Sequence, residues 1–173
     1  MNGIDERAAG VRLLALDVDG VLTDGSIYYG NDGEELKAFY IKDGLGIKLL
    51  QEAGVKVVII TGRTSNIVDR RAQELGIEEV VQGREDKLDA LQELCSSHGI
   101  GIEECAYMGD DLPDLSAISN AGLGMTVADA SKVVQAAADW QSASPGGRGA
   151  VREACEYILA ARGEWARLEA EYV

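Results

Sequence analysis

Along this chain, short apolar runs rich in β-branched residues alternate with longer segments in which apolar positions recur every three or four residues. That alternation is the pattern of βαβ units stacked on a parallel sheet. It predicts strands over 11–16, 55–60, 79–81, 105–108 and 123–127, with helices at 45–52, 66–75, 87–96, 112–119 and 131–138. In the third helix Leu88, Leu91 and Leu94 share one face, as packing on a sheet requires. Gly54, Gly76, Gly99 and Gly122 follow predicted helices, where a left-handed C-cap favours a residue without Cβ. The expected fold is α/β, a doubly wound parallel sheet.

Two segments depart from the alternation. In SIYYGNDGEELKAFY, residues 26–40, two β-prone stretches flank the turn signal Gly30-Asn31-Asp32-Gly33, which predicts a β-hairpin projecting from the sheet. After Ala143 the glycine-rich SPGGRG leads into a last helical stretch, and residues 144–173 are expected to be the most mobile part. The 173 residues fit one domain, 1–173, which can bury a core without disulfides or a structural metal.

Charge narrows the function. Sixteen basic and thirty acidic side chains leave −14, which disfavours nucleic acid and anionic membrane as partners. The same field repels a phosphorylated small molecule at long range, so a site for one must concentrate positive charge locally. Residues 1–10 hold no apolar run, and no stretch has the roughly eighteen apolar residues of a spanning helix, so a cytoplasmic location is expected. Cys95, Cys105 and Cys155 lack the spacing of a metal or redox motif and are expected to be reduced, partly buried thiols. The only histidine, His98, excludes a His-based triad and is expected in a solvated loop.

The predicted strand ends carry the candidate chemistry. The first runs into DVDGVLTDG, placing Asp17 and Asp19 at the carboxyl edge of the sheet, where open α/β folds bind ligands. Two carboxylates there repel each other, and an all-oxygen site without Cys or His favours Mg2+. The second ends in Thr61, a hydroxyl donor, and Gly62, which lets backbone amides approach an anion. Lys87 opens a helix, where the dipole favours an acid, so it needs another purpose. The fourth ends in MGDDLPD; N-capping accounts for one of Asp110, Asp111 and Asp114, not for three. Together these groups suit phosphoryl transfer: Asp17 as nucleophile, Asp19 as acid and base, Lys87 and a metal ion as local positive charge.

DVDGVLTDG, TGR, DK and GDDLPD resemble, in order, the four motifs of the haloacid dehalogenase superfamily phosphatases. Within it, DGSIYYGNDGEELKAFYIKDGLGIKLL and GGRGAVREACEYIL are similar to the phosphatases of 3-deoxy-D-manno-octulosonate 8-phosphate (KDO 8-phosphate), a small sugar acid, over most of the chain. The resemblance implies magnesium held by Asp17, Asp110 and the backbone carbonyl of Asp19, with Thr61 and Lys87 on the transferring phosphate. It implies substrate contacts from Asp19, Tyr40, Ile41, Lys42, Asp43, Gly44, Lys48, Gly62, Arg63, Arg71 and Lys87. Asp111 and Asp114 are then expected to orient Lys87 or metal-bound water.

Only residues 24–55 separate the first two motifs, so no cap domain fits, and capless relatives complete their pockets in a homotetramer. Ile27, Tyr28, Tyr29, Phe39 and Tyr40 of the hairpin suit such an interface, although packing on their own subunit would also account for them. Arg148, in GGRG, is placed to reach over a phosphate or carboxylate. Two other functions share these motifs: a phosphatase of nine-carbon sugar-acid 9-phosphates, and a non-catalytic oligomerisation or regulatory module. The intact Asp17, Asp19, Thr61, Lys87 and Asp110 count against the module.

Overall fold

The computed structural model describes residues 3–173. A six-stranded sheet runs β5 (Val80–Val81), β4 (Lys56–Ile60), β1 (Leu13–Leu16), β6 (Cys105–Gly109), β7 (Leu123–Thr126), β8 (Trp140–Gln141), with every neighbouring pair parallel. The central strands are apolar throughout because helices cover both faces: all four residues of β1 and all five of β6 are buried. Chain order leaves β1 toward β4 on one side and toward β6 on the other. The crevice at the carboxyl end of β1 is therefore the topological switch point of the sheet.

The helices follow their apolar spacing. In α3 (Asn66–Leu75), Val68, Ala72 and Leu75 are buried at intervals of a helical turn, and Gly76 closes the helix at φ 70° as a left-handed cap. In α4 (Lys87–Ser97), Leu91 and Leu94 are buried, with Leu88 packed at the edge of the core. Gly122 differs from expectation: its φ is not positive, and a Cβ there would lie 2.0 Å from the Glu103 carbonyl oxygen, so it is close approach that calls for glycine. The predicted 112–119 helix divides into a tight turn, Leu112–Asp114, and α5 (Leu115–Asn120). Helix α6 is Lys132–Ala137.

The hairpin is present as β2 (Tyr28–Tyr29) against β3 (Glu35–Leu36), antiparallel and separate from the main sheet. Helix α2 (Ile41–Glu52) follows it and starts earlier than its apolar period indicates.

Residues 144–173, expected to be mobile, pack against the rest of the fold. Helix α7 (Ala150–Ala161) packs along α2 with Val151, Ala154, Cys155, Ile158 and Leu159 fully enclosed. The preceding glycines are docked, not loose: a Cβ on Gly146 would meet the Gly20 carbonyl oxygen at 1.8 Å, and the Gly147 amide donates to Val21 at 2.9 Å. A short α8 (Trp165–Glu169) follows, its Leu168 buried.

Two further elements were not expected. Helix α1 (Gly3–Ala9) is tied down by Arg7, which donates to both oxygens of Asp139 at 3.0 and 2.8 Å. Strand β8 brings Trp140 into a stack on Tyr157 of α7, centroids 5.5 Å apart. His98, expected in a solvated loop, is the half-buried C-cap residue of α4, its ring against Glu79. The three cysteines are free and buried. Among the described residues no helix is long and apolar enough to cross a membrane.

Candidate active site

Three strands end at the switch point. Asp17 follows β1, Thr61 follows β4 and Asp110 follows β6, so adjacent parallel strands deliver one group each to the same edge. After Asp17 the chain turns over Val18–Leu22, with Gly20 at φ 96°. A Cβ on Gly20 would lie 2.1 Å from Asp110 Oδ2, so the Gly20 backbone presses directly on that carboxylate. The turn is held from inside by Thr23, whose Oγ1 accepts from the Gly25 amide at 3.1 Å.

Lys87, the first residue of α4, is buried with its ammonium 3.0 Å from Asp17 Oδ1 and 2.6 Å from Asp114 Oδ1. Asp114 is fully occupied. Its Oδ1 also accepts from the Tyr107 hydroxyl at 2.7 Å, and its Oδ2 accepts the amides of Asp110 and Asp111 at 3.0 and 3.2 Å. It thereby aims Lys87 at Asp17 and closes the loop that carries Asp110. The Asp111 side chain is exposed; its amide donates to Asp114 Oδ2, and its carbonyl accepts the Asp114 amide at 2.9 Å.

Ligand oxygens of Asp17, Asp110 and Asp114 lie within 4.8 Å of one another. Burial, then repulsion from Asp114, pushes Asp17 up to about 7 despite the opposing pull of Lys87. Burial, then repulsion from Asp17, Asp114 and Asp111, does the same to Asp110. One buried ammonium does not balance this cluster. Because Asp114 has spent its lone pairs, Asp17 and Asp110 are the carboxylates with oxygens to offer. That all-oxygen donor set fits a hard divalent cation.

A cleft of about 220 Å³ opens over these groups, lined by Asp17, Asp19, Thr61, Gly62, Arg63, Glu85, Lys87 and Pro113. Of the expected substrate contacts, Asp19, Gly62, Arg63 and Lys87 thus sit together. Ile41, Gly44, Lys48 and Arg71 instead line a different groove, of about 300 Å³, with Leu45 and Leu75. Arg71 lies over the Phe39 ring at 5.7 Å. Tyr40 is half-buried and Lys42 exposed. The Asp43 side chain is buried, and its Oδ1 accepts the Arg152 amide of α7 at 2.8 Å. Arg148 is 64% exposed and 3.6 Å from Asp24.

Sequence reasoning missed Tyr107, Lys37 and Glu35 here. Tyr107 looked like an apolar strand residue. Lys37, just after β3, contacts Asp19 Oδ1 and lies 3.7 Å from Glu35. Arg63 donates to Tyr29 and Glu35 at 3.1 Å each, and its Nε is 3.8 Å from Asp19 Oδ2. The signal for Lys37 and Glu35 was their shared face on a two-residue period in the returning limb of the hairpin.

A cleft at the switch point, with paired acids, a threonine and a buried lysine, defines a hydrolase of the haloacid dehalogenase type. A family model described as haloacid dehalogenase-like hydrolase matches residues 74–153. The KDO 8-phosphate phosphatase of Escherichia coli K12 is 47% identical over 158 residues, 91% of this chain and 84% of its own. That of Yersinia pestis is 48% identical over 157 residues, with the same coverage. The Moraxella catarrhalis phosphatase, solved with a magnesium ion, a phosphate ion and KDO, has a TM-score of 0.98 at 47% identity, covering 100% of this chain and 99% of that one. The cobalt-bound Haemophilus influenzae phosphatase gives 0.90 at 38% identity, covering 95% and 99%. The chain belongs to the 3-deoxy-D-manno-octulosonate 8-phosphate phosphatase family.

Proposed function

We propose that this chain is a magnesium-dependent phosphatase that hydrolyses 3-deoxy-D-manno-octulosonate 8-phosphate to the free sugar acid and phosphate. The observation that carries the chemistry is the buried Lys87 ammonium, 3.0 Å from Asp17, facing the same cleft as Thr61; the substrate rests on the relatives. Asp17, Asp110 and the Asp19 carbonyl would hold Mg2+, which when bound neutralises charge on the transferring phosphoryl group.

The chain's own residues do the rest. Lys87, Thr61 and the Gly62 backbone bind the phosphoryl oxygens. An Asp17 carboxylate oxygen bonds to phosphorus as the ester P–O bond breaks, and the departing oxygen takes a proton from the Asp19 carboxyl. The Asp19 carboxylate then takes a proton from a water whose oxygen attacks phosphorus, and Asp17 leaves as the free carboxylate. Phosphate release from the eight-carbon ester and from a nine-carbon 9-phosphate, each with magnesium and with chelator, tests this beside an Asp17→Asn control. Preference for the nine-carbon ester would move the substrate and keep the mechanism; silence on both would favour a non-catalytic module.

We infer a homotetramer as the working form. Tyr28, Tyr29, Leu36 and Ile41 are exposed on and beside the hairpin, Ile41 to 81%, and Lys48 and Arg71 line a groove outside the cleft. Contacts expected of them would then serve a neighbouring subunit. A monomer by light scattering under assay conditions would overturn this. The three free thiols accord with a reducing, cytoplasmic setting.

A further inference from the structure

We propose that Lys37 is the positioning residue for Asp19, fixing the carboxyl that exchanges protons with the leaving group and with water. The inference rests on the phosphatase reading and adds a member to its machinery. Lys37 stands on the returning limb of the hairpin between exposed Leu36 and Ala38, where a lysine ordinarily extends its ammonium into water. Its side chain instead has no exposure at all. Burying an ammonium costs free energy unless it is paired, and the partners are Asp19 Oδ1, in direct contact, and Glu35 Oε1 at 3.7 Å.

The two oxygens of Asp19 are thereby made unequal. Oδ1 is committed to Lys37, while Oδ2 faces Arg63 Nε at the looser distance of 3.8 Å. Arg63 is itself restrained by Tyr29 and Glu35. Asp19 and Arg63 line the cleft and Lys37 does not, so the lysine lies behind the carboxyl and acts through it. Anchoring Oδ1 fixes the side-chain torsions of Asp19 and leaves Oδ2 to meet the ester oxygen. Proton transfer in the transition state depends on that alignment. The buried lysines divide the work: Lys87 holds Asp17, and Lys37 holds Asp19.

The proton balance supplies the test. As the P–O bond breaks, its electron pair stays on the ester oxygen. A sugar alkoxide needs the Asp19 proton at that moment, whereas p-nitrophenolate departs without it. Lys37→Met and Lys37→Arg, in the magnesium-loaded full chain, are compared in single-turnover experiments on the sugar-acid phosphate and on p-nitrophenyl phosphate. With Lys37→Met, phosphoenzyme formation from the sugar ester is expected to slow on the order of a hundredfold with KM little changed, while the nitrophenolate burst stays within about threefold. Lys37→Arg is expected to recover most of the loss. Equal losses on both esters, or a raised KM at unchanged kcat, would overturn the proposal, as would an unaffected Lys37→Met of native melting temperature. Wild-type protein inactive on both esters would overturn the phosphatase reading itself, a result distinct from any of these.

Discussion

Lys87 Nζ stands 3.0 Å from Asp17 Oδ1, with both side chains closed off from solvent where α4 meets the end of β1. A lysine at the first position of a helix opposes the helix dipole; here the pairing with Asp17 and Asp114 outweighs it. Replacing Lys87 with Met leaves two buried carboxylates without a counter-charge. Turnover is expected to fall by about 10²–10³-fold. Denaturant melts of the chelated protein near pH 8 should show a loss of about 3 kcal/mol. Stability unchanged by the substitution would mean that the pair is solvated.

The raised carboxyls link stability to pH. Asp17 and Asp110 titrate near 7 in the folded protein and near 4 when unfolded, so between those values the folded state binds more protons. Stability of the chelated protein is therefore expected to fall as pH rises through that window. Magnesium must displace these protons to bind, so its stabilising shift in melting temperature should be larger near pH 8 than near pH 5.5. Thermal melts with and without magnesium at both values check this, and a shift independent of pH would count against it.

Gly20 is where the backbone meets the metal-fitting carboxylate. Its φ of 96° and the 2.1 Å approach of a built Cβ to Asp110 Oδ2 both resist a side chain. Gly20→Ala is expected to displace the Asp110 carboxylate. The prediction is weaker magnesium affinity by calorimetry, together with at least about 1 kcal/mol of lost stability from the left-handed backbone. Native magnesium affinity in this variant would show that the turn tolerates the displacement.

The alternation of apolar runs with helical segments carried most of the sheet, because β1, β4 and β6 are each apolar over several consecutive positions. Strand β8 was illegible because two residues have no period; its place depends on pairing with β7. The packing of the tail was not legible because glycines signal freedom in a sequence, whereas Gly146 and Gly147 lie in close contact with the 20–24 turn. In the site, Asp17, Thr61, Lys87 and Asp110 were visible as strand-end or helix-start residues. Lys37 was not, since its partner Asp19 lies eighteen residues away across the fold of the hairpin. Asp114 was recognised as a supporting acid, but only the structure shows it shared among Lys87, Tyr107 and two amides.

Asp43 joins α2 to α7. The N-cap of α7 is Gly149, which has no side chain to offer the first-turn amides, and Asp43 supplies the acceptor from the neighbouring helix at 2.8 Å from the Arg152 amide. Its other oxygen is buried without a hydrogen-bond partner, and burial raises its pKa. The ionised form is thus a cost that grows as pH rises above the ordinary carboxyl range. Asp43→Asn keeps an acceptor and removes the charge, so it should stay within about 1 kcal/mol of wild type and gain on it from pH 5 toward pH 8. Asp43→Ala leaves the amide unmet and should cost about 1–2 kcal/mol. Denaturant melts of the three proteins at both pH values check this; equal costs for Asn and Ala would show that the carboxylate does not cap α7.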